Sequence, residues 1–219
     1  MFYATFEQTI PADKFSLAAA YYTTLKPILT ESPGALFHAP YSCPYDATQY
    51  LALAKFSNET AVQAWRTQHD HARIQEKSRE QVFNDYRVRV GPLEPLSKDK
   101  TECSHTTTAN RGRFLVIYEQ PLSDMSRPLE HQDIPILLGP SEDEDDEGEE
   151  PGSCIDVLKG LVDSAVYQND TSLIWLSAWP TRDDAVRYVS SIDRTQEDNV
   201  NLVRVSREYS MSDREEAPE

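Results

Sequence analysis

Leu51-Ala-Leu-Ala-Lys-Phe56, running through Asn58 into Ala61-Val62, and Ile174-Trp-Leu-Ser-Ala-Trp179, running into Ala185-Val186, follow one pattern. In each, an apolar run of strand length is followed, after a short polar gap, by the first turn of an amphipathic helix. A second echo, Val88-Arg-Val90 and Val203-Arg-Val205, closes each copy at a corresponding place. Matching segments at matching places read as a tandem duplication of one small unit.

Upstream of the first copy, Phe2 to Gln8 alternates with period two, as a half-buried strand does. Phe15, Ala18, Tyr22, Leu25 and Leu29 then fall on one helical face, and Pro27 predicts a bend or stop there. Ser32-Pro-Gly34 is a turn, and Ala35 to Tyr41 and Gln49 to Phe56 read as a strand pair around the turn at Cys43-Pro-Tyr-Asp46. Asn58 stands at a helix N-cap position ahead of Glu59, and the helix that follows breaks near Gln68 to Asp70 before continuing to about Arg79. Val82 to Val90 is strand-like. The order βαββαβ is the split, ferredoxin-like unit.

The same order recurs downstream. Arg113 to Glu119 reads as a strand, Cys154 to Ser164 as a helix, Ser164 to Tyr167 and Ser172 to Ala178 as strands, Arg182 to Ile192 as a helix, and Val200 to Tyr209 as one last strand. The expected organisation is a first unit over 1–92, a linker over 93–112, and a second, diverged unit over 113–219. That second unit carries an acidic insertion, about 121–152, too poor in apolar residues to order itself. The expected class is α+β.

The chain has 219 residues and a formal charge of −16, which argues against nucleic-acid and anionic-membrane partners. Much of the excess sits in Ser141 to Glu150, with eight acidic residues and no base. No apolar run approaches the ~20 residues of a membrane span, and the N-terminus lacks a basic-then-apolar leader pattern. Three cysteines, Cys43, Cys103 and Cys154, have neither metal-type nor redox-type spacing and read as free thiols of a cytoplasmic chain.

Candidate chemistry concentrates in one stretch. Nucleotide, flavin, zincin and P-loop patterns are absent, so no cofactor is expected. Asn58, Trp65, His69, His71 and Gln75, with Tyr86 and Arg89 one strand later, form the densest polar and aromatic cluster. A histidine can act as a base near neutral pH, or it can be a hydrogen-bonded structural residue, and His71 is open to both readings. Trp65 can wall a pocket or fill a core. His69 and His71 are two apart on a helix and point away from each other, so no metal site is expected. Tyr86 and Arg89 fall on opposite strand faces, and at most one of them can face a given cavity. Arg66 and Arg79 read as surface or salt-bridge residues.

Ala61-Val-Gln-Ala-Trp-Arg66, then His71, Gln75, Arg79 and Asp85-Tyr-Arg-Val-Arg-Val90, resemble the antibiotic-biosynthesis monooxygenase family of dimeric α/β barrels. The segment Arg207 to Pro218 is similar to the tail of fungal two-unit members. The resemblance implies two ferredoxin-like units paired as a barrel in cis, a pseudo-dimer, with homodimerisation left open. It implies a small aromatic substrate, phenolic or polycyclic and polyketide-like, oxidised by O2 without metal or flavin in secondary metabolism. His71 would then assist proton removal, Asn58 and Arg89 would hold carbonyl or oxyanion groups, and Trp65 and Tyr86 would stack on the rings. Oxygen-independent cyclisation or lysis, plain small-molecule binding and, more remotely, haem degradation stand as alternatives. Tyr188 stands where Trp65 does, and nothing in the second unit matches His71, which places any active half in the first.

Overall fold

The computed structural model describes residues 1–96, 112–124, 158–191 and 199–215. The chain divides into two compact units, one of Met1–Glu94 with Tyr167–Asn169 and Val203–Glu219, the other of Pro95–Val166 with Asp170–Leu202.

In the first unit, β1 (Phe2–Thr9), α1 (Phe15–Glu31), β2 (Ala35–Ser42), β3 (Gln49–Phe56), α2 (Glu59–Thr67), α3 (His69–Gln81) and β4 (Asp85–Glu94) follow in order. β1 lies antiparallel between β3 and β4, and β2 pairs with the far side of β3. The sheet order β2-β3-β1-β4 is the ferredoxin-like one. A strand from the C-terminal segment, β9 (Arg207–Ser210), pairs antiparallel with β4 and adds a fifth member.

The strand pairings align residues into rows across this sheet. His38, Ala54, Ala4, Val90 and Arg207 form one row, and Ala52, Phe6, Val88 and Tyr209 the next. Both rows lie on the face that carries Phe56, Ala61, Val62 and Trp65 in the unit's hydrophobic core, because every second residue of a strand points to the same side. The opposite face carries Tyr3, Thr5, Leu51, Leu53 and Arg89, each no more than 2% exposed.

Three expectations are corrected here. Of the bend or stop expected at Pro27, the stop does not occur: α1 runs through it to Glu31. The lost hydrogen bond belongs to the carbonyl of Thr23, an exposed residue whose carbonyl water can satisfy. The last strand of the unit begins at Asp85 rather than Val82, because the Val82 N–H instead closes α3 on the Ser78 carbonyl at 2.9 Å. The final segment is two strands, β8 (Val200–Arg204) and β9, and not one. Between them the Ser206 N–H donates to the Val90 carbonyl at 2.8 Å.

In the second unit, β5 (Phe114–Pro121), β6 (Asp163–Gln168), β7 (Ser172–Trp179), α4 (Arg182–Val189) and β8 give the strand order β8-β5-β7-β6, the same ferredoxin-like arrangement. Its core holds Val116, Trp179, Ala185, Tyr188 and Leu202. Trp179 is fully buried, stacks on Tyr188 at 5.0 Å and donates from Nε1 to Ser177 Oγ at 3.0 Å. The helix expected over 154–164 is corrected at its C-terminal end. Leu158–Gly160 is a turn with Gly160 at φ 93°, and Asp163 already begins β6. Its first four residues, most of the linker, Cys103, Cys154 and the acidic insertion beyond Asp124 lie outside the described residues; Cys43 is a free thiol.

The return of the C-terminal segment to β4 depends on Gly91. A Cβ there would sit 1.9 Å from the Arg204 carbonyl oxygen, a contact that backbone on both sides cannot relieve. Gly91→Ala is expected to lower unfolding stability by about 2–3 kcal/mol, the scale of an overpacked core position, as read from urea denaturation. The neighbouring Pro92→Ala should leave it nearly unchanged.

Candidate active site

Between the helices and the two rows of the sheet lies a cavity of about 220 Å³. It exists because the sheet positions beneath it are small. Ala4, Ala52 and Ala54 occupy sites where strand residues of ordinary size would reach the helices, and Ala18 of α1 faces them from above. Ala54→Leu should therefore fill the cavity without strain. We expect the thermal midpoint to hold or rise, while the fluorescence gain of an apolar anionic dye, 8-anilinonaphthalene-1-sulfonate, falls at least about tenfold, consistent with cavity filling as a stabilising change.

The cavity roof is set by an interruption of the helix. Asn58 Oδ1 accepts from the Ala61 N–H at 3.0 Å and starts α2, with Glu59 in its first turn. Gln68 is extended (φ −61°, ψ 130°), and its side chain then accepts from the His71 N–H at 2.7 Å and starts α3. In an unbroken helix, residues six apart do not face each other. The break at Gln68 folds His71 back over Trp65, and the two rings stack at 4.3 Å and 21°.

The tautomer of His71 follows from its partner. Nδ1 lies 3.1 Å from the Trp65 carbonyl oxygen, which can only accept, so Nδ1 carries the proton. Nε2 has no hydrogen-bond partner among the described residues and bears the lone pair. Burial, with the nearby Arg66 charge adding to it, lowers the pKa of His71 despite the opposing carbonyl hydrogen bonds, so the ring is neutral at pH 7.

A second histidine of this cavity, His38, was not singled out in the sequence. Thr30 Oγ1 donates to the Lys26 carbonyl at 2.8 Å, so the 2.8 Å contact between Thr30 Oγ1 and His38 Nε2 has the imidazole as donor. His38 Nδ1 is then an unprotonated acceptor, enclosed and without a partner among the described residues. Burial, and secondarily the Lys26 charge, lower its pKa too. The only available signal was parity: His38 stands opposite Ala54 in the β2–β3 register, which needs the pairing to be known.

The charge of the lining runs against that of the chain. Its charged side chains are Lys26, Arg66 and Arg207, with no Asp or Glu, in a protein of 37 acidic and 21 basic residues. Arg207 is braced by Glu59 at 2.6 Å. Arg66, expected as a surface or salt-bridge residue, is half-buried and lines the cavity. Tyr209 shares this end, where burial raises its phenol pKa against the opposing pull of Arg66, Arg214 and Arg207.

Of the residues singled out in the sequence, His71, Trp65 and Gln75 line the cavity, whereas Asn58, Tyr86 and Arg89 do not. Asn58 is spent on capping α2. Tyr86 packs edge-on against Phe6 and Phe83, and its hydroxyl accepts from Arg214 Nη1 at 2.6 Å. Arg89 is on the other face of the sheet, its side chain 0% exposed and ion-paired with Glu7. His69 is an exposed residue at the first turn of α3.

No protein-family model matches the chain. A curated protein named jasmonate monooxygenase ABM, from Pyricularia oryzae, is 23% identical over 231 aligned positions, spanning 100% of this chain and 97% of its own. The resemblance to the antibiotic-biosynthesis monooxygenases holds. Crystal structures of such proteins superpose on part of this ABM-like chain. An antibiotic biosynthesis monooxygenase covers 43% of it and 100% of its own length at 13% identity and a TM-score of 0.40. A variant of SnoaB, a cofactor-independent oxygenase from Streptomyces nogalater, covers 45% and 97% at 10% identity and a TM-score of 0.39. Among the described residues no helix of the ABM-like chain is long and apolar enough to cross a membrane.

Two histidines held neutral by the fold have a consequence for stability. Both pKa values are lowered on folding, so the unfolded chain takes up more protons once the pH falls to the ordinary histidine range. Their contribution is full above pH ~6.5, the unfolded value, and is lost as the pH falls through and below it. The thermal midpoint of the wild type should drop between about pH 6.5 and 5, and His38→Gln with His71→Gln should flatten that slope; equal slopes would count against it.

Proposed function

We propose that the ABM-like chain is a monooxygenase that works without metal or flavin on a small, acidic, electron-rich molecule bound in the first unit's cavity. The observation that carries this reading is His71: a neutral imidazole with its Nδ1 proton held by the Trp65 carbonyl and Nε2 unpartnered, in the wall of a largely apolar chamber. Such a group can accept a proton from a bound phenol or enol. The resulting anion is stabilised by Lys26, Arg66 and Arg207, whose charges lower the acidity barrier that a weakly basic histidine would otherwise face. An electron-rich anion can then give electrons to O2 itself, one oxygen atom forming a bond to a ring carbon and the other leaving as water with the two hydrogens the substrate loses, while the cavity holds both partners close and excludes most water. Trp65 supplies an aromatic wall for a ring. The expected role of Asn58 and Arg89 in holding an oxyanion passes to Arg66 and Arg207, because these reach the cavity.

A second substrate class rests on the cationic lining and the full-length relative: a non-phenolic carboxylate such as a jasmonate, anchored by its acid group. A volume of about 220 Å³ favours one- or two-ring compounds over larger polycycles, since ligand sites for drug-sized molecules start at about 300 Å³.

The test is oxygen consumption by metal-free protein with anthrones, hydroxynaphthalenes and jasmonate, wild type beside His71→Ala. Saturable uptake falling at least about tenfold in the variant, the lower edge of a general-base contribution, is the expected result. Uptake unaffected by His71→Ala removes the histidine from the mechanism, and no uptake with any of these compounds overturns the monooxygenase reading.

A further inference from the structure

The inner face of α3 is polar where a helix over a core is ordinarily apolar. His71, Ile74, Gln75 and Ser78 fall three and four apart, on one side, and all four line the cavity. Ser78 is only 5% exposed. Helical hydroxyls elsewhere in the first unit bond back to a carbonyl of the preceding turn: Thr23 to Ala19 at 2.8 Å, Thr24 to Ala20 at 3.0 Å, Thr30 to Lys26 at 2.8 Å and Thr67 to Gln63 at 3.0 Å. Ser78 Oγ makes no such bond, and neither it nor the Gln75 amide has a hydrogen-bond partner among the described residues. Unlike His38 Nδ1, neither is among the unpaired atoms sealed off by their neighbours. A polar group left unpaired in a buried position costs stability unless something pairs with it, and here the cavity is what it borders.

We infer that Gln75 and Ser78 are specificity-determining residues that hold a second oxygen function of the ligand, distinct from the one at His71. Ser78 lies seven positions beyond His71 on α3, about 10 Å along the helix axis at ~1.5 Å per residue. The ligand is thus a molecule oxygenated at two well-separated points, a hydroxyl, carbonyl or carboxylate at each, with an apolar body between them against Leu25, Leu29 and the alanines of the sheet. This deepens the reading above and rests on the cavity being the ligand site. A compound with one oxygen would satisfy His71 and leave Ser78 unpaired, which is the basis for discriminating against it.

The experiment is anaerobic calorimetry with two probes, 2-naphthol and 2,6-dihydroxynaphthalene, on the full chain. The wild type should bind the diol about 5–10-fold more tightly, the scale of one or two net hydrogen bonds. Ser78→Ala, and independently Gln75→Leu, should remove most of that preference while changing the affinity for 2-naphthol less than about twofold. Because Ser78 Oγ has no protein partner to lose, Ser78→Ala should leave the thermal midpoint unchanged or raised, which separates a ligand role from a structural one. An equal loss for both probes, an undiminished preference in both variants, or no binding of either probe overturns the inference. Oxygen plays no part in this measurement, so a preference that depends on Ser78 in a protein that consumes no O2 would sink the monooxygenase reading and leave this one standing.

Discussion

Everything at the candidate site depends on a patch of small side chains, spread over two neighbouring rows, in the middle of the first unit's sheet. A protein interior is ordinarily packed to the density of an organic crystal, and a ferredoxin-like unit has one obvious place to put its largest apolar residues, between sheet and helices. Here Ala4, Ala52 and Ala54 occupy the centre of that layer, and bulk is displaced to its margins, to Phe56, Val62, Phe83 and Tyr86. The space this leaves forfeits packing energy, and the apolar area of the chamber is offset only when a ligand fills it. The cavity is therefore set by side-chain size at three positions.

The second constraint is the break at Gln68. One residue in extended conformation ends α2, starts α3 and turns His71 onto Trp65. The Trp65 carbonyl at the end of α2, which also accepts from the Gln68 N–H, then selects the imidazole tautomer, so a helix terminus performs the orienting task that a carboxylate performs in many histidine sites. The cations follow similar logic. They come from α1, α2 and β9, three elements far apart in sequence, and only the sheet order brings Arg207 to the chamber that Lys26 reaches from the other side.

The far face of the same sheet handles charge differently. Glu7 and Arg89 are diagonal neighbours across β1 and β4, and the Tyr167 hydroxyl donates to Glu7 at 3.3 Å. Burial first, and the Glu7 charge second, push the Tyr167 phenol far above its ordinary range, so it stays a donor. A buried pair of this kind is weak evidence for net stability, but removing one partner strands the other. It holds Arg89 on the face of the sheet opposite the cavity, and parity had already stated that Arg89 and Tyr86 could not serve the same cavity.

Local physics determined much of this protein from sequence alone. Period-two and period-3.6 patterns, the Asn58 cap and the discontinuity near Gln68 are properties of short segments, and β3 and α2 stand where those patterns place them. His71 and Trp65 were legible because their chemistry and their proximity are both local. Tertiary structure decided the rest, because the remaining facts are relations between distant residues. Asn58 carries the same amide whether it caps a helix or binds a ligand, and Arg66 the same charge at a surface or in a cavity wall. His38 became a candidate only through its register with Ala54, Ser78 only through the hydrogen bond it fails to make, and Arg207 and Tyr209 only because Gly91 lets the C-terminal segment lie against β4. Strand register and chain return are set by the sum of many weak packing terms, and no single segment of sequence contains that sum.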